Sequence, residues 1–391
     1  MKKIIIVNNN LNTGGVQTSL VNFLKEIHDL YDITLLLFNL DKNAYNIPEN
    51  IRVITINSPF KYLGMSMQES KHSIFSFLAR SFLTVVTKFF GRSFAIRLIS
   101  PFQKKITGYD YAISYLHEGP QNNFYGGCNE FVLRKIEAKQ KATWLHCDFK
   151  LCGANNDQSR KIYSKFDRII ACSEGCRKAF VECIPELESK TISIRNCNDY
   201  ANIKALAKDA IEYSNDCFNV VTVARLSEEK GIERALTAVY ECIKKGHQIK
   251  YHIVGSGDQE SLLKSKAREL GIEDSVVFYG NQSNPYKYIK NADLFLLTSY
   301  HEAAPMVFDE AACLGVPVLA TKTTSTDEMI LESKAGFVCE NSQDAITNAL
   351  LDILSHKETL ELISEGLKQH NFENSKSVAT FENVIQHTNC D

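Results

Sequence analysis

Short runs of β-branched and aliphatic residues alternate with helix-length stretches throughout this chain, and they do so in two successive series. Parallel strands need a crossover of a dozen or more residues between them, so this alternation predicts βαβ units and parallel sheets. The first series runs through "KIIIVN", "ITLLLFN", "RVITIN", "YAISYL", "KATWLHC", "RIIACS" and "TISIRN". After Asn198 the segment "DYANIKALAKDAIEYSND" reads as a polar helix or linker. The series then restarts with "FNVVTVARL", "YHIVGSG", "VVFYGN", "LFLLTSY", "PVLAT" and "GFVCE". Two series predict an α/β chain of two doubly wound, Rossmann-like domains, residues 1–198 and 199–391, facing across a cleft. A length of 391 residues supports that division, because single cores stop growing at about 250–300 residues. From about Ser355 the chain reads as helix of mixed charge, and periodicity leaves open whether it stays in the second domain or crosses back to the first.

Hydrophobic residues at 44% and charged residues at 23% place the chain among soluble globular proteins. A net charge of −2 gives no global attraction to nucleic acid, so no such partner is expected. The 12 cysteines are scattered, and the pairs Cys172/Cys176 and Cys147/Cys152 lack the spacing of structural zinc sites. Reduced thiols in a cytoplasmic protein are the expectation. "MKKIIIVNNN" is too short in its apolar part for a signal peptide and reads as a first strand. No run of about 20 apolar residues is present, so no bilayer span is expected.

Between Lys71 and Tyr109 there is no Asp or Glu, while Lys71, Arg80, Lys88, Arg92, Arg97, Lys104 and Lys105 are interleaved with seven phenylalanines. Basic residues among bulky apolar ones suit helices lying on an anionic membrane, and peripheral contact through residues 71–105 is expected. The competing reading is a core helix pair with a solvated basic face.

In open parallel sheets, ligands gather beyond the carboxyl ends of the strands, so the residues just after each strand carry the functional signal. "HEAAPMVFDEA" follows the strand "LFLLTSY" and places Glu302 in the turn and Glu310 eight positions later. Pro305 suits the first position of a helix. Eight residues of helix rise about 12 Å, so the two carboxylates are placed to grip different parts of one elongated ligand. The backbone from Ala304 through Pro305 and Met306 to Val307 opens that helix and attracts phosphate. In "VARLSEEKGIERAL", Arg225 ends a strand and Lys230 precedes a helix, so both cations fall at the same sheet end and suit a diphosphate. Read alone, they could equally pair with Glu228 and Glu229 on a surface loop. Gly255 and Gly257 follow the strand in "YHIVGSGDQESL", and Asn281 follows "VVFYG". In the first domain, Gly14 and Gly15 occupy the first strand-to-helix turn, and a dehydrogenase-type G-x-G-x-x-G is absent. His117 and His146 each follow a strand; His301 is either a ligand-facing group or a helix-entry residue.

Together these features resemble the large retaining glycosyltransferase family numbered four, glycosyl transferases group 1, which uses the GT-B fold. The resemblance implies that Arg225 and Lys230 clamp a donor diphosphate. It also implies that Glu302 meets the donor sugar, Glu310 the ribose hydroxyls and His117 the active site. A nucleotide diphosphate sugar, a UDP-sugar by expectation, is then the donor, and a saccharide or lipid-linked saccharide of cell-surface polysaccharide synthesis the acceptor. Neither metal nor other cofactor is implied, because paired cations can neutralise the leaving group. The chain departs from the family pattern at Ala303, in "TKTTSTDE" and at Gln17, where a glycine, paired glycines and a glutamate are common. Competing readings on the same fold are a non-catalytic subunit that binds a partner or lipid, and a sugar-nucleotide epimerase. A glycoside hydrolase using Glu302 and Glu310 is disfavoured by their placement on one strand-helix unit.

Overall fold

The computed structural model of the chain describes residues 1–12, 14–40 and 46–386. Among these residues the first sheet contains β1 (Lys3–Asn8), β2 (Asp32–Leu37), β3 (Arg52–Thr55), β4 (Ile106–Ser114), β5 (Ile136–Leu145), β6 (Arg168–Ala171) and β7 (Thr191–Ser193). The second contains β8 (Phe218–Val223), β9 (Ile249–Val254), β10 (Val276–Gly280), β11 (Leu294–Leu297), β12 (Val318–Thr321) and β13 (Gly336–Cys339). Every apolar run named as a strand candidate is found in a strand. The expected α/β class holds, with strand orders β3-β2-β1-β4-β5-β6-β7 and β10-β9-β8-β11-β12-β13. Two strands are longer than their apolar runs: β4 starts at Ile106 and β5 at Ile136. Their first halves are polar and mostly lie outside the core, so hydrophobicity does not mark them.

Both sheets are buried on both faces. Alternate residues of β1 feed different cores, Ile4 and Ile6 joining one cluster and Ile5 and Val7 another. In β11, Leu294 and Leu296 join one cluster and Phe295 and Leu297 a second. This is why the strands read as continuous apolar runs. In each sheet the order of strand addition reverses beside the first strand, between β1 and β4 and between β8 and β11. Loops leaving the carboxyl ends diverge there and open a crevice.

The chain divides into two compact units, Met1–Cys197 with Asn374–Asp391, and Asn198–Glu373. The last described helix, Ser375–Gln386, therefore belongs with the first unit, a point that periodicity left open. Its Phe381 is fully buried, with its ring edge-on to Phe23 at 4.8 Å and to Tyr31 at 5.9 Å, and beside Trp144 at 6.4 Å. Asn374 anchors the segment by donating to Glu26 at 2.8 Å. Phe381→Ala should destabilise the first unit by about 3–5 kcal/mol, the usual range for deleting a core aromatic. Urea unfolding followed through Trp144, the single tryptophan, measures this; an unchanged midpoint would contradict the packing role.

Candidate active site

In the second unit, the segments leaving β8 and β11 meet. Lys230 Nζ lies 2.6 Å from Glu302 Oε1, and Ser299 Oγ donates to the same oxygen at 2.6 Å. Lys230 and Glu302 are 72 positions apart in sequence, and adjacent parallel strands bring them together. Arg225, two residues beyond β8, lies in solvent with its guanidinium 2.6 Å from Glu229 Oε1. The surface-loop reading thus holds for Arg225 and Glu229, while Lys230 turns to Glu302 and not to Glu228 or Glu229. An exposed pair such as Arg225–Glu229 contributes about 0.2–1 kcal/mol and exchanges readily for a stronger anion.

Three features hold Lys230 and the β11 loop in place. Gly231 is left-handed, at φ 57°, and a Cβ there would meet the Thr298 carbonyl; Thr298 Oγ1 in turn donates to Gly231 O at 2.8 Å. Arg234 is buried, donates to the Thr298 carbonyl and to Asn341 Oδ1 at 2.7 Å, and stacks on Tyr300 at 3.8 Å. Asn341 Nδ2 closes the loop by donating to the Tyr300 carbonyl at 3.0 Å. Arg234 and Asn341 escaped the sequence reading, because "GIERAL" looks like an ordinary amphipathic helix start. A Cβ at Gly255 or Gly257 would collide with the backbone at Ala224 or Leu226, so they seat the Arg225 segment against β9. Asn281 is exposed after β10, an edge strand, and His301 is exposed beside Tyr300.

The helix after β11 spans Met306–Cys313, with Pro305 as its N-cap and not its first residue. Proline carries no side-chain acceptor, so no side chain caps the helix, and its N-terminus at Met306 and Val307, preceded by Ala304 and Pro305, suits an anion. Glu310, in the second turn, is half-buried, and its carboxylate makes no hydrogen bond or ion pair with any described residue. Burial, with the charge of Asp309 beside it, pushes its pKa up from 4.5 to about 7. Beside this helix, Thr323 after β12 has a buried hydroxyl without a hydrogen-bond partner. Ser325 ties the two loops by donating to the Ala303 carbonyl. The threonines standing where paired glycines are common thus leave one unused hydroxyl here.

In the first unit, polar groups gather at the carboxyl ends of β1, β4 and β5. His117 follows β4 and His146 follows β5; burial lowers the pKa of His117 to about 4, with Arg92 contributing, and drives that of His146 well down, with His117 contributing. Both rings are therefore neutral at pH 7. His117 Nδ1, His146 Nε2, Asn8 Oδ1 and Asn9 Nδ2 are buried without partners, which buried polar atoms seldom are unless a ligand or water supplies one. In sequence Asn8, Asn9 and Asn10 read as the end of a strand; three consecutive asparagines after an apolar run, all buried here, are the signal that sets this strand end apart. Gly14 and Gly15 start the helix Gly15–Ile27; a Cβ on Gly15 would meet nothing within 4 Å, so packing does not require glycine there. Gln17 lies 3.5 Å from Asn10. Arg92, expected among the solvent-facing basic residues, is instead buried and ion-paired with Glu118, next to His117. Arg80 is buried as well and donates to the Met65 carbonyl at 3.0 Å.

The solved structure of Anabaena HepE in complex with UDP matches 98% of this chain and 99% of its own, with a TM-score of 0.66 and 17% identity. The fold is therefore GT-B. Residues 207–370 match the family model of glycosyl transferases group 1. An uncharacterized glycosyltransferase of Haemophilus influenzae is 28% identical over 223 residues, 56% of this chain and 61% of that protein. The amylovoran biosynthesis glycosyltransferase AmsK of Erwinia amylovora is 31% identical over 147 residues, 36% of each chain. The chain thus spans less than two thirds of the length of either relative.

The raised pKa of Glu310 makes a signed prediction. Between pH 4.5 and about 7 the folded chain holds a proton that the unfolded chain has released, so stability falls as pH rises through that window. Glu310→Gln should therefore be more stable than the parent at pH 8, by up to about 3 kcal/mol, and nearly equal to it at pH 4. Thermal unfolding at both pH values checks this; a difference independent of pH would contradict a desolvated carboxyl.

Proposed function

We propose that the chain is a retaining, metal-independent hexosyltransferase. It moves a sugar from a UDP-sugar to a saccharide or lipid-linked saccharide at the cytoplasmic face of the membrane, reached through residues 71–105, in cell-surface polysaccharide synthesis. The observation that carries this reading is the Lys230–Glu302 contact beside the uncapped helix at Pro305. A diphosphate in that crevice takes the Lys230 ammonium, the Arg225 guanidinium and the helix N–H groups, each stronger for it than a neutral hydrogen bond. Glu302, relieved of Lys230, then accepts from sugar hydroxyls, and Glu310 accepts from the ribose. The match of residues 207–370 to glycosyl transferases group 1 and the named role of the Erwinia relative in amylovoran biosynthesis support the transfer and its setting.

In the step itself the bond from the anomeric carbon to the β-phosphate oxygen breaks, and negative charge grows on the diphosphate. Lys230, Arg225 and the helix N-terminus are preorganised for that charge, which is where transition-state stabilisation acts. The acceptor oxygen forms the new bond on the face the phosphate leaves, and its proton passes to the departing phosphate oxygen. His117, neutral at pH 7, orients a sugar hydroxyl and forms no covalent bond.

Arg225→Ala and Lys230→Ala should each lower turnover by tens-fold or more, from about 3 kcal/mol per lost contact. Steady-state rates with and without a chelator, and the anomeric configuration of the product, check the account. Full activity of both variants, loss of activity on chelation, or an inverted product would contradict it. Donor conversion without acceptor would mark an epimerase, and nucleotide binding without transfer a non-catalytic subunit.

A further inference from the structure

The helices Ile74–Phe90 and Arg92–Ile99 of the first unit bury one face and leave a second apolar face in water. Leu83 and Val86 sink into the core, whereas Phe75, Leu78, Phe82, Val85 and Phe89 are each more than half exposed. Their spacing of three or four residues puts them on a single stripe along a helix about 25 Å long. Phe90 and Phe94, with rings 5.2 Å apart, and Phe102, 71% exposed, extend it past the bend at Gly91. Scattered exposed apolar residues are common on soluble proteins, but a continuous stripe of this size marks a contact surface.

The charges around the stripe select its partner. Arg80 and Arg92 are buried and Lys105 pairs with Glu137 at 2.5 Å, which leaves Lys71, Lys88, Arg97 and Lys104 exposed on a segment without a single carboxylate. A second copy of the chain meeting this face would set cation against cation. An anionic lipid surface complements every one of them, and it accepts apolar side chains between its headgroups. No helix among the described residues is long and apolar enough to cross a bilayer, so the contact lies on the surface.

We propose that this face docks on an anionic bilayer, with the phenylalanine stripe at the headgroup–acyl boundary and Lys88, Arg97 and Lys104 on lipid phosphates. The geometry also links the docked helices to the His117 loop of the first unit. Arg92, on the buried face of the second helix, pairs with Glu118 and donates to the Tyr125 carbonyl at 3.2 Å, so the loop bearing His117 is clamped to the docking element. Delivery of a lipid-linked acceptor to that loop rests on the proposed transfer reaction; the docking itself does not.

Co-sedimentation of the full chain with phosphatidylcholine vesicles, with and without roughly 30% phosphatidylglycerol, tests this separately from any transfer assay. The chain should pellet with the anionic vesicles at low salt and leave them as salt rises. Lys88→Gln with Lys104→Gln should weaken partition roughly twenty-five-fold, at about five-fold per basic residue. Phe82→Ser with Phe89→Ser should abolish it while the UDP-induced thermal shift stays unchanged, which shows that the fold survives. Equal sedimentation with and without phosphatidylglycerol would overturn the proposal. So would a dimer in sedimentation velocity that the phenylalanine substitutions convert to monomer, since the stripe would then belong to a second copy.

Discussion

The contact between Lys230 and Glu302 depends on one constraint, the parallel pairing of β8 with β11 where strand order reverses. Three strand-and-crossover units separate the two residues in sequence, and only this neighbour relation brings their loops together. Once they meet, the remaining features of the second unit follow as supports. Gly231 permits the close approach, Arg234 and Asn341 hold the β11 loop from behind, and Gly255 and Gly257 let the Arg225 segment lie flat on β9. The ion pair holds a cation and an anion together at the carboxyl ends of β8 and β11.

Free polar capacity distinguishes this crevice from a structural ion-pair network. A half-buried carboxyl at Glu310, a buried hydroxyl at Thr323 and an uncapped helix N-terminus each carry a cost in the isolated chain. The first unit repeats the pattern with neutral imidazoles at His117 and His146 and unpaired amide atoms at Asn8 and Asn9. Residues kept in such states at the carboxyl ends of parallel strands are where ligand groups are expected to complete the bonding.

Much of this architecture was legible because both sheets are buried on both faces, which makes strands continuous apolar runs. Pro305, Arg225 and Lys230 stand out in the sequence because each follows a strand, and the structure brings Lys230 to Glu302. What escaped had no local signature. Arg234 and Arg92 look like solvated cations in sequence, and only long-range neighbours reveal them as buried supports. Gly255 and Gly257 announce close approach without saying to what, and the approach turns out to be to their own chain. The last helix was ambiguous because its apolar stripe fits either core; Phe381 resolves it by filling the gap between Phe23 and Tyr31.

The most direct measurement of the central claim is a crystal structure of the chain with an intact UDP-sugar. The account requires Lys230 to leave Glu302 and Arg225 to leave Glu229, both cations moving onto the diphosphate at the amides that open the helix after Pro305. Both ion pairs unchanged, with the nucleotide lodged elsewhere, would contradict it.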